Sequence, residues 1–135
     1  MLDVLLPTLG NFLAHFMLAL VLLIVFKFVY AFITPHDEWA LIRNNNLAAS
    51  IGFAGAILGF ALALAGVISN SINLIDFAVW SVIALIAQLT AFAIVRFVFM
   101  PQVVSRIEQG EISAGVMLAV TSVAVGLLNA ACMTY

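Results

Sequence analysis

Charge is what this sequence most conspicuously lacks. Asp, Glu, Lys and Arg make up 7% of its 135 residues, and the basic residues number four; an ordinary soluble domain is about a quarter charged. So few charges cannot cover a water-soluble surface, and four basic residues make no patch that could hold nucleic acid by counterion release. The single cysteine, Cys132, excludes an internal disulfide and a cysteine-based zinc cluster. Enzyme signatures are missing too: there is no His-Glu-x-x-His, no Gly-x-Ser-x-Gly, no phosphate-binding loop and no intramembrane Asp pair. The two histidines, His15 and His36, are expected roughly 30 Å apart along one helix, too far to ligate one haem within a protomer. No catalytic residue, metal or cofactor is therefore expected.

What is present is apolar: 67% of residues are hydrophobic, with a mean hydropathy of +1.31. Charge is costly at a bilayer centre, so the uncharged runs Val4–Phe26, Asn44–Ile75, Phe77–Val95 and Ile112–Tyr135 mark four candidate spans. Trimming their polar ends predicts helices near 9–33, 47–69, 77–99 and 112–133. The expected fold is all-α, a polytopic membrane protein forming one four-helix domain over 1–135. The Met-Leu-Asp start lacks a basic n-region, so the first apolar stretch reads as a retained span. Lys27 and Arg96 fall near helix ends, where long side chains snorkel to the headgroups. Trp39 and Trp80 suit interfacial anchors.

Orientation follows from the basic residues. Lys27, Arg43, Arg96 and Arg106 all cluster around the first and third connections, and the connection over 70–76 has none. The positive-inside rule puts those two connections in the cytoplasm and both termini on the other side.

The chain also reads as one two-helix unit used twice, over about 1–69 and 76–135. A shift of 65 pairs Ile42 with Ile107, Leu47 with Ile112, Ala49 with Ala114 and Ala54 with Ala119. Thr34-Pro35-His36-Asp37 suggests an N-cap, a proline at the first helical position and an acid at the third; Pro101 starts the second connection in the same way. Each short segment then stops at a residue tolerant of the left-handed region, Asn45 or Gly110. Apolar Trp39, Leu41 and Ile42, and Val103, Val104 and Ile107, suggest that both segments lie on the membrane surface. Each unit crosses twice, so the repeats are parallel. Glu38, Glu108 and Glu111 are expected to be solvated or paired with Arg43 and Arg106.

Thr34-Pro35-His36-Asp37-Glu38-Trp39-Ala40-Leu41-Ile42-Arg43, followed by Asn46-Leu47-Ala48-Ala49-Ser50-Ile51, resembles the domain of unknown function 350 family, as does Glu108-Gln109-Gly110-Glu111-Ile112-Ser113-Ala114-Gly115 in the second half. The resemblance extends over nearly the whole chain. It implies a small, multi-pass bacterial inner-membrane protein of two such units, in which the orientation read from the basic residues makes both termini periplasmic, and it brings no catalytic residue or substrate. The sequence departs from the family pattern with Asn45 where Gly is usual and Glu111 where Asn is usual.

Two sets of residues are candidates for packing or function. Gly55, Gly59 and Ala63 recur every fourth position, with Gly52 and Gly66 nearby, and Ser122, Gly126 and Ala130 repeat the spacing. Such residues let helix backbones approach closely, either inside the protomer or between protomers of a homo-oligomer, a dimer first. Polar residues form stripes: Thr8, Asn11 and His15; Ser81 and Gln88; Ser122 and Asn129. Interhelical hydrogen bonds are the simpler account of these stripes, and a hydrated path for an ion or small solute the sharper one, with His15 its group expected to titrate near neutral pH. The functional expectations are thus an oligomeric solute or ion pathway in the lipid bilayer, or a scaffold that presents its cytoplasmic segments to a protein partner.

Overall fold

The computed structural model describes residues 1–133, so the expected end of the last repeat at 135 lies outside the described residues. The elements run α1 (Leu2–Ile33), α2 (Glu38–Arg43), α3 (Leu47–Asn70), α4 (Leu74–Ile94), α5 (Val103–Glu108) and α6 (Ile112–Cys132). A π-helical turn, Val95–Phe99, prolongs α4. Four stretches are long and apolar enough to cross a membrane: Leu2–Ile33, Leu47–Asn70, Leu74–Phe99 and Ile112–Cys132.

The first of these begins seven residues before the expected start at 9. Pro7 costs little there, because a proline near a helix start removes a donor that has few partners to lose. As a result α1 overshoots the bundle. Thr8, Asn11 and His15 stand level with Ser71, Ile72 and Asn73 of the α3–α4 turn, which they face across a cleft. Most side chains before Phe26 are exposed to the surroundings, and α1 is anchored mainly by Phe26 and Tyr30.

The two short connections start later than the proline spacing suggests. Thr34 does not cap α2: its N–H and hydroxyl both return to the Tyr30 carbonyl, ending α1. Asp37 is the cap, accepting from the Ala40 N–H at 3.2 Å, so helix resumes at Glu38. Pro101 likewise lies in the turn before α5, whose N-cap is Gln102. At the far ends of these segments the chain reverses through Asn45 at φ 61° and Gly110 at φ 80°. Asn46 then caps α3, accepting from the Ala49 N–H, while its amide N–H2 donates to Ile107 O at 2.8 Å. One side chain thus starts α3 and ties the two connections together, on the end of the bundle that carries all four basic residues.

The centre of the bundle is the α3–α6 pair. A Cβ added at Gly55 would collide with Ala119, one at Gly59 with the Ser122 carbonyl, one at Gly115 with the Ala48 carbonyl and one at Gly126 with the Gly59 carbonyl. At Gly66 the nearest atom would be Ala130 Cα, 2.6 Å away. Gly52 is less confined, with Leu118 Cδ2 3.1 Å from such a Cβ. Ala63 is fully buried on α3. With lipid tails as apolar as the side chains, close backbone contact and Cα–H···O interactions replace the hydrophobic drive for helix association. The small-residue ridge of α3 therefore faces α6 within one chain, and it is not a free surface for a second protomer. Around this seam an aromatic cluster joins α1 to the pair: Phe26 stacks on Phe60 at 4.6 Å, and Tyr30 meets Phe53 and Phe92 at 6.0 Å each.

Gly59→Leu should therefore be severely destabilising, by about 3 kcal/mol or more, since the new side chain meets backbone that cannot yield. Gly10→Leu, where nothing lies within 4 Å, should change unfolding in detergent by less than about 0.5 kcal/mol. Equal losses in the two variants would contradict the α3–α6 seam.

Candidate functional site

Polar side chains gather in three places, and the stripes expected from the sequence are divided among two of them. On α4 and α6 the stripes meet. Gln88 donates from Nε2 to the Ser122 carbonyl at 2.7 Å, and Asn129 donates from Nδ2 to the Ala84 carbonyl at 2.9 Å. Ser81, Gln88 and Ser122 are each no more than 1% exposed. The Ser81 and Ser122 hydroxyls and Gln88 Oε1 have no partner among the described residues. Asn129 is half-buried and lines a small cavity of about 130 Å³ with Trp80, Ala84 and Cys132. Trp80, expected as an interfacial anchor, is half-buried with one side against the core.

The α1 stripe stands apart, at the end of the bundle opposite the basic residues. Asn11 is exposed and His15 half-buried. His15 Nδ1 pairs with the Asn11 carbonyl at 2.8 Å, and its ring lies 5.5 Å from that of Phe77. Thr8 donates to Val4 O of its own helix. Together they line an open cleft of about 430 Å³, so they do not join Gln88 and Asn129 at the bundle centre.

The third cluster lies in the connection after α1, and it corrects an expectation. Glu38, read from the sequence as a solvated acid or a partner of Arg43, is only 4% exposed, beside His36 at 4% and Thr34 at 5%. Its Oε1 contacts the Thr34 hydroxyl and lies 3.7 Å from His36 Nε2. Glu38 Oε2, His36 Nδ1 and the Tyr30 hydroxyl are buried without a hydrogen-bond partner among the described residues. Glu111, in contrast, does pair as expected, accepting from Arg106 Nε at 2.9 Å while remaining partly exposed. Glu108 is exposed. The helix is interrupted between Ile33 and Glu38, so no helical spacing in the sequence marked the buried carboxyl.

The His36–Glu38 distance would permit an ion pair, yet burial favours the neutral form of both. Burial pushes the Glu38 carboxyl up to about 7, helped by the Asp37 charge and opposed by the Thr34 hydrogen bond. Burial, with the Arg96 charge acting in the same sense, pushes His36 down to about 4. Hydrogen bonding agrees with a neutral carboxyl. The Thr34 hydroxyl has one hydrogen and two acceptors in reach, Tyr30 O at 3.0 Å and Glu38 Oε1. A carbonyl can only accept, so both contacts are made when Glu38 is protonated and donates to Thr34, which donates onward to Tyr30 O.

With this geometry in place, comparison with known proteins decides the family. The model described as Domain of Unknown Function (DUF350) matches residues 3–133. The chain belongs to the DUF350 family. This DUF350 chain is 41% identical over 130 residues to the UPF0719 inner membrane protein YjfL of Escherichia coli (strain K12), which covers 96% of the chain and 98% of that relative. The YjfL protein of Escherichia coli O157:H7 gives the same values. The UPF0719 transmembrane protein YshE of Bacillus subtilis (strain 168) is 29% identical over 84 residues, 62% of this chain and 63% of that protein. No solved structure matches. The DUF350 protein is accordingly a multi-pass inner-membrane protein, and the resemblance read from residues 34–51 and 108–115 holds. Among its described residues no group of three or more His, Cys, Asp or Glu could hold a metal ion.

The protonation of Glu38 has a testable sign. A carboxyl raised from 4.5 to about 7 contributes stability that is complete below 4.5 and is lost as pH rises through 7. His36, lowered from 6.5 to about 4, works in the opposite sense: its contribution is complete above 6.5 and is lost as pH falls through 4. The two slopes offset between 4.5 and 6.5. Glu38→Gln mimics the protonated acid and removes only the first slope. Relative to wild type, its stability should therefore rise progressively from pH 4.5 to 7, by up to about 3 kcal/mol. Thermal unfolding of both proteins at pH 4.5 and pH 8 checks this. A difference that is flat with pH, or that favours wild type at pH 8, would contradict a neutral buried Glu38.

Proposed function

We propose that this DUF350 protein is a membrane scaffold: a parallel repeat of two two-helix units, with both termini periplasmic, that presents α2 and α5 on the cytoplasmic face to a protein partner. The observation that carries this reading is the burial of the α4–α6 polar stripe, whose amide groups bond to backbone inside the bundle. Ser81, Gln88 and Ser122 are all but completely buried, and Gln88 and Asn129 spend their amide donors on backbone carbonyls of neighbouring helices. Interhelical hydrogen bonds of this kind stabilise a bundle by about 0.6 to 2 kcal/mol each and require no water. The buried aromatic rings Phe26, Phe60 and Phe92 belong to the same core.

Several features support the rest of the proposal. The repeat reading draws on two six-residue helices, α2 and α5, each followed by a left-handed residue and a long helix. The orientation rests on the basic residues, which share the end where Asn46 joins the two connections. The partner-facing role rests on the exposed Arg43, Glu108 and Gln109 at that end. In this proposal a homo-oligomer, with a dimer as its smallest form, uses the outer face of α1, because the glycine ridge of α3 is already occupied by α6.

A pathway formed between protomers is the second reading. It is favoured by the open cleft of Thr8, Asn11 and His15, whose polar groups face outward from α1. Reconstitution into liposomes separates the two. The scaffold reading expects no flux of monovalent ions or small polar solutes above that of empty vesicles. Flux that falls in Gln88→Ala or His15→Ala would overturn it. The orientation has its own test: a reporter active only in the cytoplasm, fused after Tyr135, should stay silent, and a bright one would reverse the assignment of the faces.

A further inference from the structure

Lys27 lies six residues before the end of α1 at Ile33, roughly 9 Å along the axis from that end. At this depth its long stem is within the apolar layer and its ammonium reaches for the headgroups. The ammonium sits 4.3 Å from the centre of the Phe28 ring and 4.9 Å from that of Trp39. Among the described residues the carboxylates in close contact with basic side chains are Glu38, beside His36, and Glu111, beside Arg106, so no carboxylate neutralises Lys27. Beside it runs a groove of about 360 Å³ between α1, α2 and α3, walled by Leu23, Ile24, Phe53 and Ile57, with Trp39 of α2 as its lip.

We propose that this groove binds one acidic phospholipid of the surrounding bilayer, its phosphate on Lys27 and an acyl chain along the apolar wall. Two observations select that occupant. The wall is almost entirely apolar and open to the bilayer, so a soluble anion gains nothing there beyond one charge contact, whereas an acyl chain gains burial along its length. The cation has only aromatic faces on its protein side, and cation–π contact leaves an ammonium able to accept a phosphate oxygen on the remaining side. A net negative headgroup is preferred over a zwitterionic one, because the added ammonium of phosphatidylethanolamine is repelled by Lys27. The bound lipid would also brace α2, since Trp39 forms the groove lip while the adjacent Glu38 is buried in the cluster with Thr34 and His36. This inference does not depend on the scaffold reading.

Native mass spectrometry of the full chain, released from micelles containing equal phosphatidylglycerol and phosphatidylethanolamine, tests it. Wild type should retain one phosphatidylglycerol in preference to phosphatidylethanolamine. Lys27→Met should lower that preference about fivefold, the effect of one basic side chain near an anionic surface. Lys27→Arg and Arg43→Gln should preserve it. Ile57→Trp, which fills the groove, should reduce retention of both lipids and keeps the proposal testable if Lys27→Met folds poorly. Equal retention of the two lipids by wild type would overturn the proposal. So would a preference that survives Lys27→Met, or one lost equally in Arg43→Gln, which would assign it to the general charge of that end.

Discussion

The fold depends on how closely the backbones of α3 and α6 approach. Gly59 and Gly126 face one another so tightly that neither admits a Cβ, and Gly55 and Gly115 extend the contact along the pair. A soluble helix pair can be driven together by excluding water from apolar faces. A pair in lipid must rely on packing and on weak interactions between backbones. Everything else is arranged around this seam: α4 lies against it through Gln88 and Asn129, and α1 joins through a patch of stacked rings near one end.

That arrangement explains where polar groups can be accommodated. The Ser122 carbonyl accepts both its helical hydrogen bond and the Gln88 amide, and Gly59 makes room for the Gln88 side chain as well as for α6. The Thr34–Glu38 cluster solves a different problem. Between α1 and α2 the chain must leave one helix and start another at the edge of the apolar layer, and free carbonyls at the end of α1 need donors. Thr34 provides them through its N–H and hydroxyl, and burial of Glu38 favours the carboxyl form that adds no charge to the interior. The same connection positions Trp39 over the lipid-facing groove beside Lys27.

Much of this was legible in the residues. Uncharged runs located four spans, because the cost of charge in lipid leaves so little latitude, and the four-residue spacing of Gly55, Gly59 and Ala63 identified the packing ridge. Its partner was not legible, since small residues at that spacing suit either another protomer or another helix of the same chain. Which polar stripes meet was not legible: helical spacing puts Thr8, Asn11 and His15 on one face of α1, but it does not say that they face the α3–α4 turn at the rim while the α4 and α6 stripes join. Glu38 was misread for a general reason. Acidic residues beside a span are usually solvated, and its burial depends on Thr34 turning back to Tyr30, a local contact that composition and charge do not encode.

The central claim is that the polar layer between α4 and α6 is dry and sealed by the α3–α6 seam. Cysteine accessibility in native membranes tests it most directly. In a Cys132→Ser background, single cysteines at Ser81, Ser122 and Asn73 can be challenged with a hydrophilic, membrane-impermeant maleimide; the first two are near-isosteric replacements. The account predicts rapid labelling at Asn73, in the exposed turn, and none at Ser81 or Ser122 until the protein is unfolded. Labelling of both buried positions in the folded protein, at rates approaching that at Asn73, would contradict it and give the bundle a water-filled interior.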